Sequence, residues 1–286
     1  APLIGKRGGI AGDFTVTCLA PDDYFMVSSG MAERYHHRFF NAVPLPDGTT
    51  WASQTDGMAG FNIAGPLART LLQGLTNADL SNKAFPFLRS QQITLAGVDC
   101  IAIRVSFTGD LGWELHCDAT DQLRLYDALL AAGEPLGAGP VGGRALGALR
   151  IEKGYGSWGR EYSPEYWPQE SGLTGLIKLD KDFLNKDAYL AIADTAPREV
   201  LRCLAIDATT ADASGTEPIF DLEGKPAGTI RSGAYGYHVG ASLALAYLRP
   251  DITPGTELDV MILGTPHRAR VLARPAFDPE GKRLRG

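Results

Sequence analysis

Two carboxylates stand where a carboxylate could do chemistry. Asp13 follows the Gly8-Gly9 pair and opens the apolar-rich stretch DFTVTCL. Desolvation there would raise its pKa and fit it for proton transfer, whereas in a turn it would satisfy backbone N–H groups. Glu114 lies in GWELHC between Trp113 and Leu115, so strand alternation puts it on the face opposite both. If that face is covered the carboxylate needs a partner, and if it is open water solvates it. Arg144, Arg150, Glu152 and Lys153 read as a solvated helix face. His36-His37 has no partner at ligand spacing, so no metal site is expected. Cys18, Cys100, Cys117 and Cys203 show no CxxC spacing and read as buried, reduced thiols. The chain has no GxSxG elbow, no P-loop, no HExxH and no GxGxxG opening a strand-turn-helix. No FAD or NAD site is therefore expected in these residues, and any flavin or nicotinamide chemistry would be bound elsewhere.

The elements that must position these residues follow from periodicity. Residues 13–19 and the segment FMVSS read as strands joined at PDDY, and the glycine pair suggests a hairpin with Asp13 at the start of its second arm. MAERYHHRFFNAV carries Met31, Tyr35, Phe39 and Phe40 at helical spacing. Residues 51–64 read as strand and loop, GPLARTLLQGL as a helix, and residues 93–106 as two strands hinged at Gly97. GDLGWELHC adds a strand and DQLRLYDALLAAG a helix ending at glycine, an order that suits an α+β lobe of the ferredoxin-like kind. RALGALRIEKG reads as a short helix, residues 155–180 as irregular, and KDFLNKDAYLAI as a helix. From about residue 198 short alternating segments recur between Gly and Pro breaks, the pattern of a small all-β barrel. The expected division is 1–197 for the α+β region and 198–286 for the barrel.

Composition narrows the function class. The 286 residues hold 27 Lys+Arg against 33 Asp+Glu, a net charge of −6, which weakens any case for nucleic acid. Hydrophobic residues at 44% and charged residues at 21% suit a folded globular chain rather than a disordered one. No apolar run approaches the ~18 residues that span a bilayer, and no secretory leader pattern is present. A cytoplasmic chain is expected, or one in the mitochondrial matrix if the source is eukaryotic, with no membrane partner.

Several stretches, in order, carry a resemblance: GGIAGDFTV, AGPLARTLLQGL, DLSNKAFPF, VSFTGDLGWELH, RALGALRIEKGYGSWGRE, GLTGLIKLDKDFLNKDA, SGAYGYHVGASLALAYL, PGTELDVMILG and FDPEGKRLR. Together the chain resembles the folate-dependent aminomethyltransferase family, which includes the glycine cleavage T protein. The Trp-bearing GDLGWELH, with AFPF and EKGYGSW, is more similar to the folate domains of dimethylglycine and sarcosine dehydrogenases. The resemblance implies a multi-lobed α+β ring with a C-terminal barrel, binding tetrahydrofolate. It implies that Asp13 is catalytic, orienting or deprotonating the folate amine that attacks an iminium or formaldehyde-level carbon to give 5,10-methylenetetrahydrofolate. It places Glu114 on the pterin, with Phe107, Trp158, Arg144 and Tyr155 as further folate-binding residues. Phe107 stands where many relatives carry Tyr, keeping the ring and losing the hydroxyl, and Arg144 matches an arginine of the sarcosine branch. Relatives carry a further stretch before GGIAGD, so an N-terminally incomplete folate domain is expected. The implied partners are a methylated amine or its iminium and a flavin-dehydrogenase domain or subunit. Two other readings stay open: a folate-dependent demethylase of other small methylated compounds, and a non-catalytic folate-binding protein. The second carries a KGCYxGQE motif where this chain has Tyr155 in place of the cysteine.

Overall fold

In the computed structural model, which describes residues 1–286, β1 (Pro2–Ile4) and β2 (Ile10–Asp13) pair antiparallel across a tight turn at Gly5–Gly9. The second arm begins at Ile10, so Asp13 closes it rather than opening it. Gly12 is needed here: a Cβ would come within 2.5 Å of the Phe14 ring and 3.0 Å of His36 Nε2. β3 (Thr15–Ala20) and β4 (Asp23–Val27) form a two-stranded sheet, and α1 (Glu33–Asn41) follows. Met31 falls in the 3-10 turn before α1 and is fully exposed, so the expected apolar face begins one turn later and the residue it buries is His36.

Next comes β5 (Met58–Ala64), α2 (Ala68–Gln73), β6 (Ser90–Leu95), β7 (Val98–Ile103), β8 (Gly112–Asp118) and α3 (Gln122–Gly133). The strands form one antiparallel sheet in the order β5-β8-β7-β6. One face of this sheet presents Trp113, Leu115, Cys117, Cys100 and Ala102 to Leu71 and Leu72 of α2 and Leu125 and Leu129 of α3, which form one core. Each such aliphatic side chain taken out of water contributes about 1.5–3 kcal/mol. The alternation that buries Trp113 and Leu115 sends Glu114 and His116 to the other face.

α4 (Gly143–Glu152) leads to an irregular run through residue 185, and α5 (Lys186–Ala193) starts later than the pattern predicted because Asn185 takes a left-handed conformation, φ 63°. β9 (Val200–Ile206), β10 (Pro218–Phe220), β11 (Pro226–Gly236), β12 (Ala241–Leu248), β13 (Glu257–Ile262) and β14 (Thr265–Val271) then close a barrel in the order β10-β11-β12-β9-β14-β13. Closure is made by β10 against β13, Ile219 opposite Val260. The interior is filled by Leu204, Ile206, Ile230, Ala244, Ala246, Leu248, Leu258 and Val260, as a six-stranded barrel requires. The last element is α6 (Lys282–Arg285).

The chain gathers into two compact units. One comprises Ala1–Val16, Met26–Ala42 and Gly147–Pro279; the other comprises Thr17–Phe25, Val43–Leu146 and Glu280–Gly286. No helix is long and apolar enough to cross a membrane.

Candidate functional site

The six residues singled out from the sequence divide between the units. Asp13, Tyr155 and Trp158 belong to the barrel-bearing unit, and Phe107, Glu114 and Arg144 to the unit built on the four-stranded sheet.

In the first unit Asp13 ends β2 with its side chain 35% exposed, Oδ1 3.6 Å from the amino group of Ala1. Its backbone is pinned from the connection between β4 and α1: Ser28 Oγ donates to the Asp13 carbonyl at 3.0 Å and lies 3.5 Å from His36 Nδ1 of α1. His36 is 3% exposed, enclosed by Phe14 at 4.7 Å, Trp158 at 5.0 Å and Tyr35 at 5.6 Å between ring centroids. Burial holds its imidazole below the ordinary value, against an opposing pull from the Ala11 carbonyl, so a neutral ring sits behind the aspartate strand. His36 is therefore a packing and positioning group, and no metal-binding cluster exists around it.

Trp158 stands in the loop after α4, its ring 5.2 Å from Tyr35 and its Nε1 buried without a hydrogen-bond acceptor in the chain. That loop is ordered by Glu161, which is fully buried. Its Oε2 accepts from Arg150 at 2.8 Å and from the Ser157 N–H at 2.9 Å, while Arg150 also donates to the Tyr155 carbonyl and to Ser232 Oγ. Tyr162 follows; burial first, then the negative charges of Asp13 and Glu161, push its phenol well above the ordinary value. A Cβ at Gly156 would meet the Tyr162 ring at 2.5 Å, so this loop closes only with glycine there.

These contacts correct one expectation. Arg150, Glu152 and Lys153 are not a solvated face: they are 4%, 1% and 5% exposed. Arg150 pairs with Glu161, Lys153 pairs with Asp278 at 2.9 Å, and Glu152 Oε1 accepts from the His238 N–H at 2.9 Å. Of that set only Arg144 is exposed, on the first turn of α4. The cysteines also divide: Cys100 and Cys117 are buried opposite each other in the β7–β8 register, Cys203 is half-buried and Cys18 is exposed. Burial pushes the Cys100 thiol up to about 12, which makes it inert.

In the second unit Glu114 lies on β8 between Asn62 of β5 and Ile103 of β7, its side chain 18% exposed. Its Oε2 is buried and receives no hydrogen bond from the chain. His116, two residues along and so on the same face, brings Nε2 to 3.8 Å, close enough for Coulomb attraction and too far for a hydrogen bond. That nitrogen is also buried without a partner, and Phe25 packs edge-on against the ring at 5.0 Å. Phe107 is half-buried in the turn before β8, beside a Ser106–Thr108 hydroxyl pair 2.8 Å apart. His116, Tyr162 and Glu161 are the residues that sequence reasoning passed over, while Arg150 was noticed and taken for a solvated side chain. Only His116 had a legible signal, the period of two that it shares with Glu114.

Comparison with known proteins agrees over nearly the whole chain. Residues 1–181 match the model of the GCVT N-terminal domain, and residues 200–278 match that of the glycine cleavage T-protein C-terminal barrel domain. Mouse mitochondrial dimethylglycine dehydrogenase is 33% identical over 288 residues, covering 99% of this chain and 33% of its own length. Mouse mitochondrial sarcosine dehydrogenase is 32% identical over 315 residues, with 99% and 33% covered. The chain thus spans about a third of the length of these curated relatives. The crystal structure of the glycine cleavage system aminomethyltransferase T from Bartonella henselae superposes with a TM-score of 0.82 at 22% identity, over 97% of this chain and 75% of that one, and so shares its fold. With both of its domains matched in order, the chain belongs to the glycine cleavage T-protein family.

Proposed function

We propose that this chain is the tetrahydrofolate-dependent one-carbon transfer region of a dimethylglycine or sarcosine dehydrogenase-like enzyme, forming 5,10-methylenetetrahydrofolate. The observation that carries the reading is Glu114, a carboxylate whose Oε2 is buried and meets no donor from the chain. A carboxylate so placed is costly unless a ligand supplies N–H groups, and the amino-pyrimidine edge of a pterin supplies two in parallel. Tetrahydrofolate, when bound, would supply the amine nitrogens that take up the carbon.

The chain's own residues would bind and orient. Glu114 would hold the pterin edge, Phe107, Trp158 and Tyr155 would offer aromatic faces, and Arg144 would offer a guanidinium to an anionic tail. Asp13, half-exposed on a strand pinned by Ser28, would take or orient the proton of the attacking amine. The folate-binding part is assigned to 1–197 and the barrel to 198–286. Oxidation of the methylated amine to its iminium is assigned to a flavin-dehydrogenase domain or subunit, in keeping with relatives named as dehydrogenases.

Calorimetric titration of the chain with tetrahydrofolate tests the binding half. Glu114→Gln should weaken binding roughly tenfold to a hundredfold, as loss of charge-assisted hydrogen bonds does, with the thermal midpoint unchanged. Equal affinity in the variant would remove Glu114 from the site. For the chemical half, Asp13→Asn should bind tetrahydrofolate yet form the methylene product from formaldehyde no faster than the uncatalysed background; full activity in that variant would sink the assignment.

A further inference from the structure

Glu114 and His116 share a sheet face on which no other strand residue can carry a positive charge. Alternation from the core residues Leu115 and Cys117 puts Glu114, His116 and Asp118 on this face of β8. The neighbouring strands add Gly60 and Asn62 of β5, and Ile101 and Ile103 of β7, each pair standing opposite His116 and Glu114 in turn. The two other carboxylates of the face are engaged elsewhere: Asp99 accepts from Thr94 Oγ1 at 2.7 Å and Asp118 from the Thr120 N–H at 2.8 Å. The His116 imidazole is therefore the one group of this face that can answer Glu114 with a charge.

Packing places that imidazole for the task. Nε2 and Oε2 are each withdrawn from water, each without a hydrogen bond, and 3.8 Å apart. Phe25 meets the ring edge-on at 5.0 Å, which fixes its plane. Gly60, opposite on β5, is exposed; a Cβ there would stand 3.4 Å from Nδ1, so the glycine leaves that nitrogen open to water. A neutral imidazole carries its proton on one nitrogen only. With Nδ1 toward water and Nε2 toward a carboxylate oxygen, the proton belongs on Nε2, because a lone pair there would face another lone pair. A small turn of the flexible glutamate chain closes 3.8 Å to hydrogen-bonding distance, and bonds of this kind often tighten only when the ligand arrives. Oε2 has two lone pairs, so accepting from His116 still leaves one for a ligand.

We infer that His116 is a positioning residue: its Nε2–H holds Glu114 Oε2, so that the carboxylate presents a fixed edge to the N–H groups of the ligand. A glutamate held in this way has less side-chain freedom to lose on binding than a free one. The inference rests on the folate reading of Glu114 and adds to it the group that orients the carboxylate. Its test is a double-mutant cycle read by calorimetric titration with tetrahydrofolate. His116→Phe keeps a ring against Phe25 and removes the donor, and should weaken binding about three- to tenfold, the worth of one hydrogen bond. His116→Gln returns an N–H donor near the place of Nε2 and should bind within about twofold of the unaltered chain. Added to Glu114→Ala, His116→Phe should cost less than about twofold further, since no carboxylate is left to hold. The inference is overturned if His116→Phe binds as tightly as the unaltered chain, if His116→Gln fails to restore binding, or if His116→Phe costs as much with Glu114→Ala as without it. Weakened binding in Glu114→Ala beside any of these results leaves the folate reading standing and removes only the role of His116. Undiminished binding in Glu114→Ala, or no binding by the unaltered chain, overturns the folate reading of Glu114 and this inference with it.

Discussion

Glu170 and Glu114 are both withdrawn from water, and they differ in what meets them. Glu170 is fully buried and saturated. Its Oε1 accepts from the Arg198 backbone and Nε at 3.0 and 2.8 Å, and its Oε2 from the Trp167 N–H and the Arg198 guanidinium at 2.8 and 2.7 Å. The same guanidinium lies 4.3 Å over the Trp167 ring, and the segment before the barrel is tied together through this one carboxylate. Glu114 has a buried oxygen with no donor and an imidazole just beyond hydrogen-bonding range. A charge that serves the fold is paired within the chain, because an unpaired one would cost several kcal/mol. A charge left open on a sheet face is therefore a reason to look for a ligand.

The contrast can be broken most sharply at Arg198. Arg198→Met removes the guanidinium and leaves buried Glu170 with only its two backbone donors, and should lower unfolding free energy by about 1.5–3 kcal/mol in urea at neutral pH, the worth of hydrogen bonds to a charged group. A loss under 1 kcal/mol would show that Glu170 is not structural.

A smaller effect separates the two carboxylates by pH. Burial pushes the Glu170 carboxyl up, but the Arg198 hydrogen bonds with the Trp167 and Arg198 backbone bonds outweigh it, and its pKa is lowered. A depressed folded pKa adds stability above the unfolded value, near 4.3, and that share is lost as pH falls through the folded pKa. In Arg198→Met burial acts with less opposition, the folded pKa rises, and the slope should flatten or invert between about pH 4 and 6. An unchanged acid limb would mean another carboxylate sets it.

The smallest effect on stability belongs to Glu114→Gln, which should shift unfolding free energy by no more than about 0.5 kcal/mol, because no hydrogen bond to Oε2 within the chain is lost. A loss of 2 kcal/mol or more would place Glu114 with Glu170 and remove the difference on which its ligand role rests.

Local signals carried some of these residues and not others. The face of Glu114 is readable from Trp113 and Leu115, since alternation in a strand is strict, and His116 was available by the same rule. The barrel was legible from its turn spacing. Asp13 was placed at the start of the second arm rather than at its end because the Gly5–Gly9 turn is tight enough for that strand to begin at Ile10. The charges of α4 and of Lys153 just after it were misread because their partners, Glu161, Ser232, His238 and Asp278, lie 11 to 125 residues away in the chain, and no helical period reports on them.

The sequence by itself determined the class of fold, the order of its elements and the resemblance that led to its family, because these rest on periodicity, turn chemistry and motif order along the chain. Which charges are spent on holding the molecule together and which are left open was decided by the tertiary structure alone. Pairing a buried charge depends on the groups within a few ångströms of it, and those are set by packing between distant segments rather than by neighbours in sequence. Arg150 became a buried strut and Ser242 a buried, unpartnered hydroxyl for that reason.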